Sequence, residues 1–210
     1  MTPVHVVAGK NIKSAMGSKN YLKYVFISGI PASGKSYLAK KIAIKIGAKH
    51  VCVDDWREEM RNNFELKKWV DFFFNQDEKK YWNTTSCNEQ WGNLKKQSEA
   101  FWSTIKSKIE EIQKLNSFVI FEGVNILPHL AKDLNFGGIV LLGESFDVIL
   151  ERNKKDPRWG KTEDLQICEA RAFWDCERVW YKKEAQKYGF KTYSDTALAE
   201  KEILKIFQIS

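Results

Sequence analysis

The chain has 210 residues, 43% of them hydrophobic, which suits one domain with a sizeable core and room for an insertion. No run of about 18 apolar residues is present, which excludes a membrane-spanning helix; the N-terminus has no apolar core of a secretory signal, so the expected compartment is the cytoplasm. The net charge of +7 favours anionic partners, phosphorylated metabolites or nucleic acid, but the lysines and arginines form no block, and a merely solvated surface explains them equally.

Residues 1–20 are polar and aperiodic and read as a flexible arm. Short apolar runs follow at 24–28, 51–53, 118–121, 139–142 and, more weakly, 191–193. Between the first two, Leu38, Ala39, Ile42, Ala43 and Ile46 recur at helical spacing, and Gly47 is placed to stop that helix. Strand, helix, strand in this order predicts a parallel sheet covered by helices. The stretch from 56 to about 115 breaks the rhythm. It is helical in character and dense in aromatics, among them Trp56, Trp69, Phe72, Phe73, Phe74, Tyr81, Trp82 and Trp91, and reads as an inserted helical lobe over about 60–115 on the substrate side. A second long helical segment is expected over 162–188, and a closing helix over 198–207. The cysteines, Cys52, Cys87, Cys168 and Cys176, include no C-x-x-C pair and read as reduced thiols; the three histidines are scattered and suggest no His/Cys metal site.

Four constellations carry chemistry. Gly29-Ile30-Pro31-Ala32-Ser33-Gly34-Lys35-Ser36 fits G-x-x-x-x-G-K-[ST], between an apolar strand and an amphipathic helix. Amide groups of such a turn converge on phosphate oxygens, and a side chain at Gly34 would obstruct them. The helix opening at Lys35 adds unpaired N–H groups and the positive end of its dipole. Lys35 reaches the β- and γ-phosphates and the Ser36 hydroxyl suits Mg²⁺; Tyr37 follows directly. Asp54-Asp55-Trp56-Arg57 comes after the second run, where strand ends line the crevice of an open parallel sheet. Its acids can hold a hydroxyl, act as a base or meet Mg²⁺ through water, and Arg57 can pin an anionic group; alternatively Asp55 caps a helix. Glu122 ends the third apolar run as a carboxylate suited to the neighbourhood of Mg²⁺, with Gly123, Asn125 and His129 just beyond, where they could face substrate. Arg152 and Arg158 flank a turn marked by Asp156-Pro157 and Gly160; with Arg171 and Arg178, seven residues apart and so on one helix face, they make a candidate arginine lid over about 152–175.

With these residues in hand, the chain resembles the P-loop kinase group that includes 2-phosphoglycerate kinase, zeta toxin and the polynucleotide 5′-hydroxyl kinases. The likeness spans about residues 24–196 and is strongest in the motifs: Phe121-Glu122-Gly123-Val124-Asn125-Ile126-Leu127-Pro128 is similar to the third-strand segment of 2-phosphoglycerate-kinase-like proteins, and Asp54-Asp55-Trp56-Arg57 to a segment of polynucleotide kinase. It implies a three-layer α/β P-loop NTPase fold over 21–210, with a five-stranded parallel sheet in the order 2-3-1-4-5. It also implies Asp54 as general base, Arg57 as a clamp on a substrate phosphate, and nucleotide-base contacts near Thr196. The expected activity is transfer of the γ-phosphate of ATP, with Mg²⁺ held by Ser36 and Glu122, to a hydroxyl of a small, anionic metabolite. Open alternatives are a polynucleotide or tRNA-linked kinase, for which basic charge and aromatics would serve, an NTP-hydrolysing regulatory ATPase, and a non-catalytic nucleotide-binding module. The acceptor-side residues on this reading are Asp54, Asp55, Arg57, Glu122, Gly123 and Asn125.

Overall fold

A computed structural model of the chain describes residues 24–208; the expected arm over 1–20 lies outside them. Strand β1 (Tyr24–Gly29) runs into helix α1 (Lys35–Ile46), then β2 (Lys49–Cys52). Gly47 ends α1 in the left-handed region at φ 66°, its N–H bonded to the Ala43 carbonyl, as its place in the sequence predicts. A 3₁₀ turn (Val53–Trp56) leads to the helical lobe: α2 (Arg57–Met60), α3 (Phe64–Val70), α4 (Glu78–Thr84) and α5 (Cys87–Leu115). The remaining elements are β3 (Val119–Glu122), α6 (Pro128–Ala131), β4 (Gly138–Leu141), α7 (Phe146–Lys155), α8 (Glu163–Arg171), a π-helical turn (Ala172–Glu177), α9 (Arg178–Lys187), β5 (Lys191–Tyr193) and α10 (Thr196–Ile206).

All strand pairs are parallel and the order is β2-β3-β1-β4-β5, the 2-3-1-4-5 arrangement expected. Alternate residues of each strand serve opposite faces. Val25 and Ile27 of β1 pack with Ile120, Ile139 and Leu141 against Leu38 and Ile42 of α1 and Ala199 and Ile203 of α10. Phe26, Val119 and Phe121 look the other way, onto Phe101, Ile105 and Ile109. Those last three belong to α5, so the C-terminal half of the 29-residue helix covers the sheet itself; Met60 of α2 and Val70 of α3 join the same cluster, while Trp91 and Leu94 near the start of α5 pack with Val124, Val140 and Tyr181. A capping box fixes where α5 starts: the Ser86 hydroxyl accepts from the Glu89 N–H, and the Glu89 carboxylate accepts from the Ser86 N–H.

One expectation is corrected here. Cys87 and Cys176 are not reduced thiols but a disulfide, with Cα atoms 4.9 Å apart across a sequence separation of 89; Cys52 and Cys168 are free. Short-range spacing rules miss such a pair because only the fold brings the two together. The bond fastens the start of α5 to the π-helical turn. Among the described residues no helix is long and apolar enough to cross a membrane.

Closing a loop of this length restricts the unfolded chain, so reduction is expected to lower unfolding stability by about 2–4 kcal/mol. Urea titration with and without reductant measures this. Thiol titration of the unreduced, unfolded chain should count two free cysteines; four would refute the bridge.

Candidate active site

The 29–36 turn closes over the carboxyl end of β1. Gly34 sits at φ 96°, a conformation L side chains rarely adopt, and Ala32 takes φ 55°. A β-carbon on Gly34 would lie 3.2 Å from Arg152 Nη1 and 3.6 Å from Thr196 Cγ2, so α7 and the start of α10 both reach the turn at this point. Arg152 donates to the Ala32 carbonyl at 3.2 Å and lies 3.5 Å from the Glu144 carboxylate. Lys35 is buried and folds back to donate to the Ile30 carbonyl at 2.7 Å. Its burial pulls the ammonium below its ordinary value, against the opposing pull of Glu122 and Asp54. Ser33 is buried beneath the turn with its hydroxyl unpartnered.

Ser36 donates to Glu122 Oε1 at 2.9 Å, and His50 Nε2 lies 3.3 Å from the same oxygen. Burial pushes Glu122 up, but His50, Lys35 and Ser36 together outweigh it and hold the carboxyl below its ordinary range. A hydroxyl and an ionised carboxylate side by side at the end of the phosphate turn are a hard-oxygen donor set that fits Mg²⁺. His50 was missed in the sequence; its only signal there is its place two residues from the carboxyl end of β2.

Asp54 stands at the end of the next strand. Its carboxylate accepts from the Val124 N–H at 3.0 Å and the Asn125 N–H at 3.4 Å, with Arg57 Nη2 at 3.6 Å. Gly123 makes this approach possible, since a β-carbon there would meet Asp54 Oδ1 at 3.0 Å and Val53 Cγ2 at 2.5 Å. Burial alone would raise Asp54; Arg57, Arg158, the Val124 amide and Lys35 reverse that and keep it ionised. Arg57 also donates to Asn125 Oδ1 at 3.0 and 2.5 Å, and Asn125 donates to Ser98 Oγ at 2.8 Å. Gly123 and Asn125 thus act as supports of Asp54 and Arg57. Asp55 is exposed at the rim.

Two cavities meet at Asp54. One, of about 550 Å³, is lined by Pro31, Ala32, Gly34, Lys35, Ser36 and Tyr37 of the turn, with Glu122, Arg152 and Arg158 opposite. The other, of about 410 Å³, lies toward the helical lobe, with Phe73, Phe74, Trp82, Trp159 and Phe173 among its walls. Asp54, Val124 and Arg158 line both. The turn bearing Arg158 is fastened down: Gln166 donates to the Gly160 carbonyl at 3.0 Å, Asn153 donates to the Gln166 carbonyl at 3.0 Å, and Trp159 packs on Tyr81, Trp82 and Phe73 at ring-centroid distances of 5.6, 5.5 and 6.1 Å.

The structure does not bring every candidate here. Arg171 lies over the Phe146 ring and pairs with Asp175, while Arg178 lies over Trp174; neither lines either cavity. The π-helical turn between them widens the helix and changes its phase, so a separation of seven no longer means a shared face. His129 is bridged between Glu184 at 2.9 Å and Glu99 at 3.1 Å and also stands away from the cavities. The same π turn supplies what the sequence did not reveal: Phe173 and Glu177, four apart and so about one π turn apart, both line the second cavity, as does Glu169 of α8.

The sequence matches no protein-family model. No curated protein matches it either. Among solved structures, a shikimate kinase from Acinetobacter baumannii in complex with shikimate is similar at TM-score 0.52 and 14% identity, covering 89% of this chain and 94% of that one. A shikimate kinase from Bacteroides thetaiotaomicron is similar at TM-score 0.50 and 15% identity, with 89% and 98% covered. The Thermus thermophilus protein TT1252 is similar at TM-score 0.52 and 14% identity, with 89% and 96% covered. At such identities the likeness is one of fold: a P-loop NTPase sheet with the layering of P-loop kinases.

Glu177 gives a direct check on the cavity. Its Oε2 is buried without a partner. Burial pushes the carboxyl from an ordinary 4.5 up to about 7, with Arg158, Lys35 and Arg57 pulling down and Glu169 pushing up. Between these values the unfolded chain binds fewer protons than the fold, so this group's contribution to stability falls as pH rises and is lost above about pH 7. Glu177→Gln should therefore stabilise the protein increasingly from pH 5 to pH 8, by at most about 3 kcal/mol. Urea midpoints at the two pH values test this, and a pH-independent difference would contradict the buried placement.

Proposed function

We propose that the chain is a kinase that moves the γ-phosphate of ATP onto a hydroxyl of a small molecule. One observation carries this reading: Asp54 and Arg158 stand on the wall shared by the phosphate-turn cavity and the lobe cavity, where a donor phosphate and an acceptor hydroxyl would meet. Similarity of fold to shikimate kinases supports it.

On this reading the amides of residues 29–36 hold the polyphosphate, and Lys35 exchanges its bond to Ile30 for the β- and γ-oxygens. Ser36 and Glu122 are the residues that would hold Mg²⁺, which supplies charge neutralisation between the phosphates. The acceptor oxygen attacks the γ-phosphorus. The bond from that phosphorus to the bridging oxygen breaks, and its electron pair leaves with ADP. Asp54, kept ionised, takes the hydroxyl proton and returns it to solvent after release. Arg152 and Arg158 face the turn from the lid side and oppose charge on the transferring group. Little covalent work is asked of the protein, so most of the rate gain comes from positioning and electrostatics. Thr196, beside Gly34, lies where the nucleoside would leave the turn.

A polynucleotide acceptor is the weaker alternative, because the lobe cavity places Asp54, Glu169 and Glu177 where a phosphate backbone would run. A regulatory ATPase has no use for a second walled cavity facing the same base.

The test is a screen with labelled ATP over metabolites, nucleosides and oligonucleotides, beside calorimetry with Mg²⁺ and nucleotide. Nucleotide binding and label on a small hydroxyl compound are expected. Asp54→Asn should lower kcat by about 10²–10⁴-fold, and Lys35→Ala should abolish transfer while the fold persists. No heat with any nucleoside triphosphate, or near-normal turnover by Lys35→Ala, would overturn the assignment.

A further inference from the structure

The sequence reading expects an anionic acceptor because Arg57 follows the two acids. In the structure Arg57 is committed to Asp54 and Asn125. The cavity it lines carries five carboxyl groups, Asp54, Asp55, Glu58, Glu169 and Glu177, against two guanidinium groups, Arg57 and Arg158. Asp55 and Glu58 are exposed at the rim. Asp54 is compensated by amides and Arg57, and Glu169 accepts from Asn153 Nδ2 at 2.9 Å. Glu177 has no such compensation, since its buried Oε2 meets no donor. Its position is set by structure far from the phosphate turn: the π-helical segment points Phe173 and Glu177 into the same space, and the disulfide at Cys176 anchors that segment to α5. Burying an acceptor without a donor is costly, more so when it is charged, so an orphan of this kind in a cavity is accounted for by a ligand that supplies the donor.

The rest of the wall narrows what that donor is. Phe73, Phe74, Trp82, Trp159 and Phe173 offer π-faces, which attract cations as well as apolar surface. Among the described residues the cations lining this space are Arg57 and Arg158, one already engaged and the other on the shared wall beside the phosphate turn. At about 410 Å³ the space suits a compound of one or two rings.

The geometry points to an acceptor that bears a cationic amine in addition to its hydroxyl, an amino sugar, aminocyclitol or similar amino alcohol, with the amine held between Glu177 and the aromatic walls while the hydroxyl reaches Asp54. This rests on the kinase reading for what happens to the hydroxyl, but the binding claim stands apart from it. Glu177 is then a specificity residue of the acceptor side.

The experiment has two arms. In the first, no nucleotide is present. Calorimetry measures binding of glucosamine and a panel of amino alcohols and aminocyclitols, each beside the counterpart with hydroxyl in place of the amine and beside a phosphate ester, to the full chain and to Glu177→Gln. Amine-bearing compounds should bind at least about tenfold more tightly than their neutral and anionic counterparts, and Glu177→Gln should remove most of that preference. In the second arm, labelled ATP is added, and the KM for the amine-bearing acceptor should rise in Glu177→Gln by the same factor. Equal or tighter binding of neutral or anionic counterparts, no binding by any amine, or an unchanged preference in Glu177→Gln would overturn the inference. Amine binding lost in Glu177→Gln but with no label transferred would uphold the cavity's specificity and sink only the kinase reading.

Discussion

The arrangement depends on one buried charge. Asp54 sits at the floor of two cavities and stays ionised because amides of Val124 and Asn125, the guanidinium of Arg57 and the field of Arg158 and Lys35 together outweigh the cost of its burial. The partners converge from the loop after β3, from α2, from α1 and from the turn after α7. Parallel pairing of β2 with β3 brings Cys52 opposite Glu122, so the turn after one strand and the loop after the other emerge side by side. Gly123 then leaves the room that any larger residue would fill. A carboxylate held in this way has a proton affinity set by its surroundings, which is the property a base needs.

The phosphate side is held in readiness by substitutes. Lys35 is bonded to a carbonyl of its own loop, Arg152 to another, and Ser36 to Glu122. On the proposed kinase reading, a nucleotide would exchange these contacts for its own oxygens.

The strands and the glycine turn were legible in the sequence because they depend on local rules: apolar runs of strand length, a helix stopped by Gly47, and a turn whose glycines must stand at fixed places; the order of the strands came from the resemblance to P-loop kinases. Asp54 and Glu122 were legible for a related reason, since each follows an apolar strand. What was hidden depends on phase or distance. Glu177 and Phe173 point inward only because the helix widens to a π turn, which no periodicity in 162–188 announces; the same change of phase sends Arg171 and Arg178 elsewhere. Cys87 meets Cys176 only through the tertiary fold. Arg57 was visible beside the acids, whereas its partner Asn125 and the carboxylates Glu169 and Glu177 that line the same cavity lie far along the chain.

The lid turn has a mechanical property of its own. Arg158 faces both compartments, and its neighbour Trp159 is stacked into the ring cluster of Tyr81, Trp82 and Phe73. A single short segment therefore serves as a door to two rooms. On the proposed kinase reading, a swing of this turn that freed a spent nucleotide would also draw the indole out of the opposite wall. Opening one compartment would then open the other.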